Sequence, residues 1–174
     1  ILCGGKGTRL QPVISDRPKP MAEMKGRPFL DILIDYLCSY GFRRYVLCVG
    51  YMKENIKEYF TRESRSEKII FSDEETLLGT GGALKNGELL IHSDPFLVLN
   101  GDSFCPLDYR DFLSYYFSKG ADVSIALDGK SVRKDYGVVT INDKARITSF
   151  SEKTDKKDEY VNAGVYIFNQ TIFS

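Results

Sequence analysis

Three separated segments carry residue types that could handle phosphate. Residues 4–10 read Gly-Gly-Lys-Gly-Thr-Arg-Leu and follow the apolar Ile1-Leu2-Cys3. Downstream of Leu10, Lys19 stands between Pro18 and Pro20, and much further on Asp102 ends the run Phe96-Leu97-Val98-Leu99-Asn100-Gly101-Asp102. Glycines let backbone N–H groups turn toward an anion and approach it closely. Thr8 adds a hydroxyl, and Arg9 adds a planar, permanently charged fork that matches phosphate oxygens. The flanking prolines restrict the backbone around Lys19, so the lysine loses little freedom when it binds an anion. A carboxylate at the end of an apolar strand suits Mg²⁺, which is usually held by one or two carboxylates plus substrate phosphates. Plainer readings are a tight turn with a surface arginine, an exposed loop lysine and a turn aspartate.

Spacing excludes two common templates. A dinucleotide fingerprint needs G-x-G-x-x-G, which Gly5, Gly7 and Leu10 break; a Walker A loop needs G-x-x-x-x-G-K-[ST], which is absent. The elements that must position the three segments follow a regular order. Apolar residues at Phe29, Leu30, Leu33, Leu37 and Tyr40 form a helical stripe closed by Gly41. Residues 44–50 read as a buried strand, 53–60 as a helix and 68–72 as a strand. A helix weakened by Gly87 covers 81–91, then come the apolar strand 96–99, a helix over 108–120 and a strand over 122–127. The alternation predicts a three-layer α/β/α, Rossmann-like fold, with helices on both faces of a mostly parallel sheet. A hairpin turning at Asn142-Asp143 and a final strand over 163–168 make that sheet mixed. Ligands in such sheets bind beyond the carboxyl ends of the strands. That rule gathers the glycine loop, Glu74-Glu75 and Asn100-Gly101-Asp102 on one rim.

The 174 residues suffice for one domain with a real core, and 24 basic residues balance 24 acidic ones, so no basic excess points to nucleic acid. No apolar run approaches the roughly 18 residues of a membrane span. The cysteines, Cys3, Cys38, Cys48 and Cys105, form no C-x-x-C pair and there is one histidine, which argues against zinc and fits a reducing cytoplasm.

Taken in order, "ILCGGKGTRL", "PKPM", "LGTGGAL", "VLNGD", "DYGVV", "FSEK" and "NAGVYIF" resemble the signature of the sugar-1-phosphate nucleotidyltransferases over essentially the whole chain. Within that family the wording is most similar to the D-glycero-D-manno-heptose 1-phosphate guanylyltransferases, then to the mannose-1-phosphate guanylyltransferases. The resemblance implies the nucleotide-diphospho-sugar transferase fold. It also implies an enzyme that joins a nucleoside triphosphate to a sugar 1-phosphate and releases pyrophosphate, with Mg²⁺ as cofactor. Gly4, Gly5, Gly7 and Thr8 would then hold the triphosphate, Arg9 the departing pyrophosphate, Lys19 the α-phosphate and incoming sugar phosphate, and Asp102 the metal. Gly137, Glu152, Lys153 and Asn162 would contact the sugar phosphate. Gly79 and Gly82, with Gly81, would let the backbone lie against the base.

Glu74 occupies the place where thymidylyl members of that family usually carry glutamine. Guanine offers two adjacent donors, N1–H and the 2-amino group, which one carboxylate can accept together; Glu74, or its neighbour Glu75, therefore points to GTP. The resemblance further implies direct attack of the sugar phosphate on the α-phosphorus, with no covalent intermediate. It implies a native chain that extends a few residues before Ile1 and continues past Ser174 into a segment with a second metal-binding aspartate. Glucose-1-phosphate thymidylyltransferase and a non-catalytic sugar-nucleotide-binding regulatory subunit remain as alternatives. The presence of Arg9, Lys19 and Asp102 favours an enzyme. Self-association into a homo-oligomer stays open.

Overall fold

The computed structural model describes residues 1–7, 15–129, 137–151 and 160–174. Among them the chain forms a small antiparallel pair, β1 (Glu23–Met24) and β2 (Arg27–Pro28), then α1 (Phe29–Ser39), β3 (Arg44–Val49), α2 (Lys53–Arg62) and β4 (Lys68–Asp73). There follow α3 (Gly79–Asn86), β5 (Phe96–Leu99), α4 (Tyr109–Lys119), β6 (Val123–Gly129), the hairpin β7 (Val138–Ile141) and β8 (Ile147–Ser151), and β9 (Tyr160–Phe168). The expected alternation is present. The β1–β2 pair is an addition that sequence patterning does not reveal, because two-residue strands have no periodicity to read; it turns through Lys25 and Gly26, both with positive φ.

The sheet is assembled around the first three residues. Leu2 bridges in parallel to Cys48 of β3 and to Asn100 just past β5. Its N–H donates to Leu99 O at 2.8 Å, and Cys3 N–H donates to Cys48 O at 2.8 Å. β4 lies parallel to β3 on the outer side. β9 runs antiparallel to β5 and carries β6 on its other edge, while its first residues pair with β7. The result is the mixed sheet predicted from the hairpin, with its parallel half formed by β4, β3, residues 1–3 and β5.

Period-two alternation sends successive strand residues to opposite faces. Tyr45, Leu47, Val49 and Leu99 pack into one core with α1, α2 and α4; Leu2, Phe96 and Val98 pack on the other face with Leu84 of α3, Ile91 and Phe173. Helices therefore cover both faces. On α1, Leu30, Leu33, Ile34 and Leu37 are fully buried, the i, i+3, i+4, i+7 stripe of an amphipathic helix. Each contributes roughly 1.5–3 kcal/mol by burial. α4 is capped by Asp108, whose Oδ1 accepts from the N–H groups of Arg110 and Asp111, and it ends at Gly120 in the left-handed region. α3 begins at Gly79 and ends earlier than the helix expected over 81–91. Gly87 closes it, and Glu88–Leu90 continue only as a single 3-10 turn. No helix among the described residues is long and apolar enough to cross a membrane.

Candidate active site

At the carboxyl ends of the parallel strands a cleft of about 400 Å³ opens between the sheet and the start of α3. Gly4, Gly5 and Gly7 line it, with Lys19, Glu74, Gly79, Asn100 and Asp102, and Cys3 forms part of its floor. The rim rule thus brings together residues as far apart in sequence as Gly4 and Asp102.

Strand parity decides how the acidic run 73–75 is used. Glu74 N–H donates to Val49 O at 2.8 Å, so the β4 ladder continues one residue past Asp73. Side chains therefore still alternate here. Asp73 pairs with Lys57 and lies 3.5 Å from Lys53, and Glu75, on the same side, reaches Lys53 at 3.2 Å. The Lys57 hydrogen bond holds the Asp73 carboxyl below its ordinary pKa, with Lys53 adding to the effect. Glu74 points the opposite way, buried against the cleft, and its Oε2 accepts from the Leu78 N–H at 3.2 Å. Of the two glutamates left open by the sequence, Glu74 lines the cleft, while Glu75 is a solvated partner of α2.

A side chain at residue 4 would displace the Glu74 carboxylate from that arrangement. A Cβ at residue 4 would lie 2.5 Å from Glu74 Oε1, well inside contact distance. At Gly5 a Cβ would meet nothing within 4 Å, which leaves that stretch of backbone open to the cleft.

Lys19 opens a short 3-10 turn, Lys19–Met21, set by the buried Pro18 and Pro20. Its stem rests against Gly7, where a Cβ would come within 3.0 Å of Lys19 Cβ. Its ammonium donates to Asp102 Oδ2 at 2.8 Å, with both side chains about a third exposed. Asp102 is placed by Gly101, whose N–H donates to Leu2 O at 2.9 Å. Cys3 lies beneath it. Burial pushes its thiol up to about 12, so it is a neutral packing group at physiological pH and not a nucleophile.

Asn100 is a cleft residue that only its place at the end of β5 could have marked. Its side chain abuts Gly164, and its N–H donates to Gly164 O at 3.0 Å. Two residues away, Asn162 N–H donates to Gly137 O at 3.1 Å, so two of the sugar-side residues implied by the resemblance are neighbours. The Asn162 amide is oriented by the Gly164 N–H on its oxygen and by Tyr166 OH, which its nitrogen reaches at 2.7 Å. Gly137 and Asn162 are not in the cleft lining, nor is Gly82, where a Cβ would overlap Leu78. Thr80 and Leu77, which sequence reasoning passed over, are in it. Thr8, Arg9, Glu152 and Lys153 lie outside the described residues.

Among the described residues no three of His, Cys, Asp and Glu converge into a metal cage. One carboxylate beside an open cleft fits Mg²⁺, which keeps several waters and takes substrate phosphates as ligands; it does not fit a structural zinc.

A glycine-lined cleft with a lysine–aspartate pair, at the strand-end rim of a three-layer α/β/α fold, suits a protein that handles nucleotide phosphates. The chain belongs to the nucleotidyl transferase family, which it matches over residues 1–174. It is 39% identical to the D-glycero-alpha-D-manno-heptose 1-phosphate guanylyltransferase of Campylobacter jejuni subsp. jejuni serotype O:2, over 100% of this chain and 76% of that protein. With the enzyme of the same name from Aneurinibacillus thermoaerophilus it shares 36% identity, over 99% of this chain and 75% of the relative. The crystal structure of HddC from Yersinia pseudotuberculosis superimposes with a TM-score of 0.87 at 35% identity, over 99% of this chain and 76% of that one. HddC has also been crystallised with GMP-PN.

Proposed function

We propose that this chain is a guanylyltransferase that joins GTP to a sugar 1-phosphate, with D-glycero-D-manno-heptose 1-phosphate as its preferred substrate. The observation that carries the reading is the Glu74 carboxylate, buried in the cleft and anchored by one backbone N–H. A carboxylate offers about four acceptor positions. With one of them used by Leu78, others remain for guanine N1–H and the 2-amino group. The heptose-specific relatives and the GMP-PN complex of HddC support the same choice.

In this reading the triphosphate lies along Gly4, Gly5 and Gly7, which line the cleft, with the backbone most open at Gly5. Thr8 adds a hydroxyl contact and Arg9 receives the departing pyrophosphate. Lys19 sits where two anions must meet and offsets their repulsion as the sugar phosphate attacks the α-phosphorus. Asp102 would hold Mg²⁺, which would supply screening of the substrate phosphate charge. Asn162, presented by Gly164 and Tyr166, hydrogen-bonds a sugar hydroxyl, with Gly137, Glu152 and Lys153 around the sugar phosphate. Catalysis is then positioning plus charge stabilisation, with no covalent intermediate.

The test is pyrophosphate release with four NTPs against heptose, mannose and glucose 1-phosphates. GTP with heptose 1-phosphate should be fastest. Mannose 1-phosphate in its place would shift the sugar assignment, and no release with any pair would favour a non-catalytic sugar-nucleotide-binding subunit. Glu74→Gln should lower kcat/KM for GTP by about 10- to 100-fold, since hydrogen bonds to charged groups are worth about 1.5–3 kcal/mol. Its ratio of UTP to GTP use should rise. An unchanged GTP preference would remove Glu74 from base reading.

A further inference from the structure

Asp102 is paired with a cation of the chain itself. The Lys19 ammonium donates to Oδ2 at 2.8 Å. Lys19 is held there from both sides, by its stem against Gly7 and by the buried prolines that set its backbone. The backbone that carries Asp102 is also fixed, because the Gly101 N–H donates to Leu2 O and Gly101 lies close against Cys3. The pair is therefore built into two separate segments of the fold and does not arise from two wandering side chains.

We propose that Lys19 and the divalent metal compete for Asp102, so that the ion pair disfavours the metal on its own and nucleotide phosphate relieves that competition. The proposal rests on the assignment of Asp102 as the metal ligand. A divalent ion on this carboxylate would sit close to an ammonium already bonded to it, and like charges a few ångströms apart repel strongly where water is partly excluded. The metal alone would also gain only a carboxylate whose charge is already offset. Phosphate changes both terms. Its oxygens give Lys19 a new partner and give the metal further ligands, so carboxylate, lysine, metal and phosphate form a set with alternating charge. Metal and nucleotide should then bind with positive coupling, and the coupling must be reciprocal. Lys19 thereby has a role before chemistry begins, as a placeholder that makes the site accept the metal–nucleotide pair in preference to the bare ion.

Mn²⁺ titration of the full chain, read by electron paramagnetic resonance, tests this without turnover. At low ionic strength Lys19→Met, and the second uncharged variant Lys19→Gln, should bind Mn²⁺ in the absence of nucleotide about 10-fold more tightly than the parent. Lys68→Met, which removes the same charge at the far end of β4, should change it by less than about twofold. A non-hydrolysable GTP analogue should tighten Mn²⁺ binding more in the parent than in Lys19→Met. Lys19 variants that bind Mn²⁺ no tighter than the parent, while Asp102→Asn abolishes binding, overturn the competition and leave the metal assignment standing. Equal tightening by Lys68→Met overturns it as well, as a general charge effect. Unaltered binding by Asp102→Asn removes the metal assignment itself.

Discussion

Lys19→Ala is expected to lower kcat by roughly 10²–10³-fold, the usual cost of deleting one preorganised charge aimed at a transition state, while leaving the fold intact. The two halves of that expectation have different origins. The catalytic loss follows from the position of the ammonium, which opens into the cleft beside the glycine loop. Two anions must approach each other there, and no other described lysine or arginine lines the cleft to take over. The small folding cost follows from exposure. The Lys19–Asp102 pair is about a third exposed on each side, and such pairs contribute about 0–1 kcal/mol. The loss of the stem's contact with Gly7 adds only a modest packing term. Rates of pyrophosphate release alongside thermal melts separate the two. Turnover within about threefold of the parent would sink the role given to Lys19. A collapse of the melting temperature would show that the pair is structural.

Gly101→Ala should damage stability and catalysis together. A Cβ there would lie 2.6 Å from Cys3 Sγ, 3.0 Å from Leu2 O and 3.2 Å from Ile1 Cγ2. Two of those neighbours cannot simply swing aside. Cys3 is buried in the main core, and Leu2 O is backbone already bonded to the Gly101 N–H. The chain must therefore shift at the seam where residues 1–3 join β3 to β5. Forcing extra volume into a packed site typically costs about 1–3 kcal/mol. Because Asp102 is the next residue, the same shift moves the carboxylate, and a displacement near 1 Å is enough to cost on the order of 10²-fold in rate. Denaturant unfolding and kcat measured on one preparation check both. If Gly101→Ala is stable and active, the close approach beneath Asp102 does not constrain the site. Gly5→Ala is the useful contrast, since its Cβ meets nothing in the protein; any effect should appear in nucleotide KM and not in stability.

Several features of this site were legible because they are local. The helical stripe of α1, the glycine at each turn and the apolar run of β5 all follow from side-chain periodicity, and strand–helix alternation implies a parallel sheet with its ligands at the carboxyl rim. The glycine loop could be named as phosphate-binding from residue chemistry and spacing, whereas Lys19 and Asp102 were separated from an exposed lysine and a turn aspartate by the family resemblance. Other features were not legible. The resemblance favoured Glu74 over Glu75, but nothing in the one-dimensional pattern says on which residue the ladder stops. The hydrogen bond from Glu74 N–H to Val49 O settles it, by extending the alternation one position and sending Glu75 to Lys53. Asn100 was visible as a rim position, but its contact with Gly164 needed β9 to arrive beside β5.

The sequence by itself determined the reaction class, through its resemblance to the sugar-1-phosphate nucleotidyltransferases; residue types and spacing alone reached only as far as phosphate handling. It also determined the layered α/β/α architecture, since periodicity and alternation are short-range signals. Only the tertiary structure decided which residues meet. Lys19 and Asp102 are 83 positions apart and form one ion pair; Gly4 and Glu74 are joined by a contact that leaves no room for a side chain. Such pairings depend on parallel strand order, which brings distant strand ends to a common rim and leaves no trace in local pattern.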